Sequence, residues 1–481
     1  MFKLSTLRLN HLSAALLVVG VLSGCTLAPT YQRPQAPVEA TYPADAQGLP
    51  AHDAISMGWR EFFPDQRLQG LIAAALEHNS DLRTAILNIE QARAQYDISR
   101  ADLLPSLNAT SSATRTRYSA SQSSTGAPIT FRSYQVGVSV PAYELDFFGR
   151  VRSLKDAALS TYLATEEARQ AAQISLVAQV AQAYLAERSY AEQLKLAQQT
   201  LESRQTDYDL GKKRFDVGAS SALDLRLTET LVHSARVSVA TLVRQRAQAD
   251  EALTLLVGKK VKDLPAGEDL SLQHIVTDIP AGLPSDLLTR RPDIRQAEQS
   301  LLAANANIGA ARAAFFPQIS LTGSYGSASG SLSGLFESGS GAWSFGPSLS
   351  LPIFDFGRRS ANLDLAEVRK NLAVVAYEKA IQTAFSEVAD ALIARSTLED
   401  QIAAQEDFLK AEQDRLKLTE LRYKNGISSS VDLADAAREL FSAQQALIQA
   451  RQLRLNNAID LYKALGGGLN ENTVKVTAEK K

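Results

Sequence analysis

The chain has 481 residues, room for two or three ordinary domains, and its 50 basic against 52 acidic side chains leave a formal charge of -2. So even a balance excludes the electrostatic field of a nucleic-acid-binding protein, and 45% hydrophobic residues exclude a disordered chain. A single cysteine excludes an internal disulfide.

In chain order, Lys3 and Arg8 precede the apolar stretch AALLVVGVL (14–22) and then SGC, the layout of a secretory signal. Leu22-Ser23-Gly24-Cys25 resembles a bacterial lipobox. Residues 1–24 are therefore expected to be removed, leaving Cys25 as an acylated first residue on a lipidated segment, 25–65. Acyl chains contribute about 0.8 kcal/mol per buried methylene, so two or three anchor a protein stably. Thr26 stands where an Asp would resemble an inner-membrane retention signal, which points to the outer membrane. No apolar run in the mature region reaches the roughly 18 residues of a spanning helix.

The remaining chain is written twice. SDLRTAILNIEQARAQYDISRADLLPSL (80–107) matches PDIRQAEQSLLAANANIGAARAAFFPQI (292–319), with Pro105 on Pro317. DFFGRVR (146–152) resembles DFGRR (355–359). RFDVGASSALDLRLTETLVHSA (214–235) matches RYKNGISSSVDLADAARELFSA (422–443), with Gly218 on Gly426 and Asp224 on Asp432. Two copies of one structural unit follow, over 66–264 and 290–468, joined by a connection at 265–289 and ended by a polar tail, 469–481.

Each copy begins with a helix, roughly 79–103 and 291–315, that stops at a proline. Strands are expected at about 105–118 and 133–147, then at 317–328 and 342–355. Tyr134, Val136, Val138 and Val140 alternate with Gln135, Gly137 and Ser139; Trp343, Phe345 and Leu349 alternate with Ser344, Gly346 and Ser348. Polar loops join the strands at 119–131 and 327–341. Long helical stretches follow, free of proline from Pro141 to Pro265 and after Pro352. A helix over 151–215 runs on the order of 95 Å and must pack lengthwise, as in a coiled coil. Leu154, Ala158, Tyr162, Leu163, Ile174, Val177, Val180, Ala181, Tyr184, Leu185 and Leu194 supply its apolar stripe.

The strands have no β-rich core to cover their greasy faces, and about ten tilted residues is the length of a membrane strand. Four strands cannot close, and open edges are not tolerated in hydrocarbon. The fold class expected is thus a mixed α and β membrane protein in which several chains share one barrel. Three chains would give twelve strands.

The lipobox, GWREFFPDQRL (58–68), YELDFFGRVRS (143–153), GLPSDLLTRRPDIRQAE (282–298), NANIGAARAAFFPQISLTGS (305–324) and LYKALGGGL (461–469) together resemble the TolC-type outer-membrane efflux channels, in their lipidated OprM-like branch. The resemblance implies a homotrimer with a twelve-stranded barrel continued by a periplasmic helical tunnel. It also implies a periplasmic adaptor and an inner-membrane pump, of the resistance-nodulation-division type, that energises export of drugs and toxic small molecules. Metal-ion efflux, type I protein secretion and a passive porin are the alternatives. Outer-membrane lipid is a further partner; nucleic acid is not.

The break in each long helix, near 215–222 and 423–430, reads as a hairpin tip. Gly218 and Gly426 suit a left-handed cap, and Ser220 or Ser221 and one of Ser428 to Ser430 can start the next helix. In the family these turns dock the adaptor, which assigns that role to Gly218, Ser221, Gly426 and Ser429. The family also places carboxylate rings, matched here by Asp432 and Asp435, at the closed tunnel end, with an apolar constriction matching Val431. Asp224 matches Asp432 in the first copy, where Leu227 stands opposite Asp435. Arg438 lies three residues beyond Asp435, close enough for an intrahelical pair. Arg422, Tyr423 and Lys424 are candidates for contacts that hold the tip shut. His11, His52, His78, His233 and His274 lack metal-ligand spacing, and no GxxxxGK[ST] loop is present, so no catalytic residue, metal or cofactor is expected beyond the lipid on Cys25.

Overall fold

A computed structural model describes residues 26–39, 56–262, 264–276 and 284–473. Cys25, the signal segment, and parts of the expected lipidated segment, connection and tail lie outside the described residues. The elements are α1 (Trp59–Phe62), α2 (Gln66–His78), α3 (Ser80–Ala101), β1 (Asn108–Tyr118), β2 (Ile129–Glu144), α4 (Arg150–Asp216), α5 (Ala222–Val257), α6 (Pro284–Arg290), α7 (Pro292–Ala313), β3 (Gln318–Ser329), β4 (Gly341–Ser350), α8 (Arg358–Lys424) and α9 (Ser430–Ala464). Helices α3 and α7 have 22 residues each and α4 and α8 have 67 each, while α5 and α9 have 36 and 35. The duplication therefore extends to element length.

The strands form one antiparallel sheet in the order β1-β2-β3-β4. Alternation sets its faces. One face carries Ile319, Gly323 and Tyr325 opposite Leu349, Phe345 and Trp343. The other carries serine rungs: Ser320 meets Ser348 and Ser324 meets Ser344, hydroxyl to hydroxyl at 2.8 Å each. The apolar face is bare, with Tyr325 72%, Trp343 76%, Phe345 65% and Leu349 64% exposed. At the end where β2 and β4 lead into helices, Phe147, Phe315, Phe316, Phe354 and Phe356 are exposed as well.

Four strand boundaries differ from expectation by three residues or more, the first being that of β1, which starts at Asn108, not 105, where it meets Ser139 of β2. β2 starts at Ile129, not 133, because Ile129 to Arg132 pair in register with Tyr118 to Arg115, which shortens the first loop to 119–128. It ends at Glu144, not 147, and its ladder slips between Val140 and Tyr143, at Pro141, which has no N–H to donate. β4 stops at Ser350, not 355, because Ser350 faces Gln318, the first residue of β3, and no partner strand continues past it.

The chain divides into two units. The first comprises 1–35, 89–165 and 297–377 and holds the sheet. Its strand-to-helix corners repeat one device: Asp146 Oδ2 accepts from the Arg152 backbone N–H at 2.9 Å and its side-chain Nε at 3.2 Å, and Asp355 Oδ2 accepts from the same groups of Arg359 at 3.2 and 2.8 Å. Gly149 and Gly357 take φ of 74° and 85° there, a region open to glycine. The N-terminal segment is tied down where Tyr31 and Arg33 donate to Glu298, the Arg33 pair at 2.8 Å. Leu154, expected in the buried stripe of the first long helix, is 39% exposed.

The second unit comprises 36–88, 166–296 and 378–481. It buries Val177, Val180, Ala181, Tyr184 and Leu185 of α4 with Trp59, Phe62 and Phe63, as the sequence pattern requires. Phe62 stacks on Tyr462 at 4.0 Å, and a Cβ on Gly467 would reach that tyrosine ring at 2.2 Å, so the GGG run is cap and close-packing site together. Arg291, buried, joins Asp293 at 2.6 Å, Glu387 at 2.8 Å and the Ala464 carbonyl at 2.9 Å. Asp65, also buried, caps α2 by accepting from the Arg67 and Leu68 N–H groups, and its other oxygen accepts from Tyr184 Oη at 2.6 Å and Gln273 Nε2 at 2.8 Å. Asp65→Ala removes the cap, leaves the buried Tyr184 hydroxyl without its acceptor and leaves Gln273 Nε2 only the Glu268 carbonyl at 3.3 Å, an expected loss of about 3 kcal/mol, against about 1 kcal/mol for Tyr184→Phe. Thermal unfolding of the two variants should rank them in that order; equal melting temperatures would show that the network carries no weight.

Candidate gate and docking tips

Both long helices end in the same hydrogen-bond ladder. Gly218 N donates to the Phe215 carbonyl at 2.9 Å and Ala219 N to the Arg214 carbonyl at 2.8 Å; Gly426 N donates to Tyr423 at 3.0 Å and Ile427 N to Arg422 at 2.9 Å. The glycines sit at φ 74° and 73°. No atom lies within 4 Å of the Cβ either would carry, so conformation, not space, requires glycine there.

The next helix starts on a reciprocal cap in each copy. Ser221 Oγ accepts from the Asp224 N–H at 3.1 Å while the Asp224 carboxylate accepts from the Ser221 N–H at 3.2 Å; Ser429 and Asp432 repeat this at 3.2 and 2.9 Å. Here Asp takes the place of the usual Glu or Gln of a capping box. Of the expected serines, Ser221 and Ser429 therefore carry the caps, and their partners are two of the predicted gate acids. The two tips also meet: Ser430 Oγ donates to Asp224 Oδ1, across 206 residues of chain.

Asp435 lies between two guanidinium groups, Arg415 Nη2 at 2.7 Å and Arg438 Nη2 at 2.9 Å. The intrahelical Asp435–Arg438 pair is thus present, and Arg415, which also bonds the buried Glu412, joins it from α8. Val431 is 53% exposed at the start of α9. Arg422 Nε donates to Ser428 Oγ at 3.1 Å within its own turn, and its charge also acts on Asp432. Tyr423 is half-buried and Lys424 exposed. The Lys424 charge acts on Asp207 of α4, whose carboxyl is nevertheless pushed up by burial and by Glu420.

The three acids are held as anions. The Ser430 and Ser221 hydroxyls lower Asp224, the Ser429 backbone N–H leads the lowering of Asp432, and Arg415 then Arg438 lower Asp435. Arg204 was not legible as part of this region. It is 6% exposed, donates to the Leu231 carbonyl at 3.3 Å and lies over the Phe441 ring at 5.6 Å, and burial followed by the Arg438 charge pushes its guanidinium down. The only sequence signal for Arg415 was its i, i+3 spacing from Glu412 on a helix; Arg204 and Ser430 gave none. Among the described residues no three His, Cys, Asp or Glu side chains are grouped to hold a metal, and no helix is long and apolar enough to cross a membrane.

The family model described as "Outer membrane efflux protein" matches residues 71–259 and 283–467, one segment per repeat. The chain is 48% identical over 458 residues to the "Probable efflux pump outer membrane protein TtgC" of Pseudomonas putida, with 94% of each chain covered. It is 46% identical to the "Outer membrane protein OprJ" of Pseudomonas aeruginosa, over 95% of this chain and 96% of that one. Among solved structures, the open state of the MtrE outer membrane channel of Neisseria gonorrhoeae superposes with a TM-score of 0.86 at 45% identity, over 94% of this chain and 100% of that one. Four strands, two repeats and two long helical hairpins are thus the fold of a known class of channel, and the chain belongs to the outer membrane efflux protein family.

Proposed function

We propose that this protein is the exit duct of a tripartite efflux system in the outer membrane, passing drugs and other toxic small molecules from periplasm to exterior. The observation that carries the reading is the sheet: its aromatic face is bare, its other face is lined with hydroxyls, and among the described residues β1 and β4 have no partner on their outer sides. In hydrocarbon both edges need partners, and three copies supply them in a twelve-stranded barrel with a polar bore. Relatives named for efflux of antibiotics and of toluene, each 48% identical to this chain, support the substrate class. A channel of this kind has no reaction to catalyse; an inner-membrane pump of the resistance-nodulation-division type supplies the energy through a periplasmic adaptor. Acyl chains on Cys25 add an anchor.

The hairpin tips are the docking and gating surface in this reading. Gly218, Ser221, Gly426 and Ser429 shape the turns that the adaptor grips, and Val431, Asp432 and Asp435 narrow the closed mouth. Intrachain pairing moderates the like-charge repulsion expected of carboxylate rings, because Asp435 shares its charge with Arg415 and Arg438. Opening then moves α8 relative to α9 and breaks the Arg415–Asp435 bond.

Three outcomes follow. Deleting the gene should raise sensitivity to several unrelated drugs, and reintroducing it should restore resistance only when the cognate pump is present; restoration without a pump would favour a passive porin. In planar bilayers the channel should be cation-selective and blocked by multivalent cations, and the double variant Asp432→Asn, Asp435→Asn, which keeps the cap geometry, should lose the block. Block of wild-type strength in that variant would locate the ring elsewhere. Finally, groups whose folded values are lowered contribute fully above the ordinary carboxylate range and lose that contribution as pH falls through the lowered values. Corrected hydrogen exchange at 214–224 and 422–432 should therefore be slow at pH 5 to 7 and speed up below about pH 4; a flat profile would show that the capping acids do not hold the tips.

A further inference from the structure

β1 and β2 pair without a slip from Asn108↔Ser139 to Tyr118↔Ile129. Odd residues of β1 and even residues of β2 therefore share a face. Ala109, Ser111 and Ala113 lie there opposite Val138, Val136 and Tyr134, and the same face continues through Val138↔Tyr325 to Tyr325↔Trp343. This is the outward, lipid-covered face under the barrel reading, on which the inference rests. Nearer the loop at 119–128 the chemistry of that face changes abruptly. Arg115 stands directly opposite Arg132, and Arg117 stands opposite Thr130.

Two arginines on one rung repel each other, and a sheet does not place them there for its own stability. Arg115, Arg117 and Arg132 are all exposed, and none makes an ion pair or a side-chain hydrogen bond among the described residues. No acidic residue occurs from Asn108 through Tyr143, so the hairpin offers them no counter-charge. The hydroxyl-bearing Thr110, Ser112, Thr114 and Thr116 occupy the opposite face, which excludes a role for these arginines in lining the bore. Their counter-ion must come from outside the chain and from the lipid side.

Depth narrows its identity. Arg132 is six residues along β2 from Val138, the residue on the Tyr325–Trp343 rung, about 20 Å along a strand and roughly 15 Å along the barrel axis once tilted. With the Tyr325–Trp343 rung taken as the aromatic girdle at the outer edge of the hydrocarbon, a phospholipid headgroup layer adds only about 5–8 Å beyond it, so a glycerophospholipid phosphate lies below the Arg115–Arg132 rung. A lipid with a tall sugar head bearing phosphates reaches it, and guanidinium forks match phosphate oxygens in paired hydrogen bonds. We infer that Arg115, Arg117 and Arg132 form an outward-facing seat for the phosphate groups of a phosphorylated glycolipid of the lipopolysaccharide type in the outer leaflet.

The test uses the full-length acylated protein assembled in lipid nanodiscs, with lipopolysaccharide and its enzymatically dephosphorylated form as probes, read by native mass spectrometry. Wild type should bind the phosphorylated form at least ten times more tightly. The triple variant R115Q/R117Q/R132Q should lose that preference, and R115K/R117K/R132K, which keeps the charge but not the fork, should keep only part of it. A wild type without preference, or a glutamine variant that retains it, would overturn the inference. Single-channel conductance and oligomeric state, recorded on the same samples, separate the two readings. A wild type that conducts as a trimer yet ignores the phosphates defeats the seat alone, whereas one that neither assembles nor conducts defeats the duct and the seat with it.

Discussion

Water is absent from the hydrocarbon core of a bilayer, so every backbone N–H and C=O there needs a partner made of protein. This requirement organises the rest of the chain. A four-stranded sheet satisfies its inner ladders, β1 to β2, β2 to β3 and β3 to β4, and leaves two outer rows open. The bare aromatics on one face and the hydroxyl rungs on the other fit a wall with lipid outside and water inside. In the proposed duct, subunit number and bore follow from closing that wall. The Arg115–Arg132 rung of the β1–β2 hairpin lies on the same face of the sheet as the bare aromatics.

At the hairpin tips the same residues serve two ends. Asp224 and Asp432 begin helices α5 and α9, and Asp435 fastens α9 to α8 through Arg415. Capping leaves the Asp224 and Asp432 carboxylates their negative charge but ties their oxygens to the Ser221 and Ser429 N–H groups, so charge and helix start depend on the same atoms. The copies are unequal as well. Leu227 stands where the second tip has Asp435, so the Arg415–Asp435 bridge has no counterpart at that position of the first hairpin, and the Ser430–Asp224 bond links the two tips.

Much of this was legible in the sequence, for identifiable reasons. Alternation at Tyr134–Val140 and Trp343–Leu349 and the matching of the two halves depend on residues close in the chain or on direct comparison of text. The glycine turns and serine caps depend on spacing of a few residues. What escaped involves partners far apart: Asp65 with Tyr184 and Gln273, Asp224 with Ser430, Arg204 with Phe441. Strand ends escaped for a related reason. Apolar alternation runs on to Ile353, yet β4 ends where β3 begins, and only the pairing register reveals that limit.

The two open rows of the sheet have a genetic corollary. Each subunit seals its wall with backbone from both neighbours, so a copy that folds but presents one defective edge spoils every ring that admits it. When faulty and sound alleles are expressed together, intact rings become a minority, and such a lesion is dominant rather than recessive. Inheritance of the defect would follow the assembly, not the gene dose.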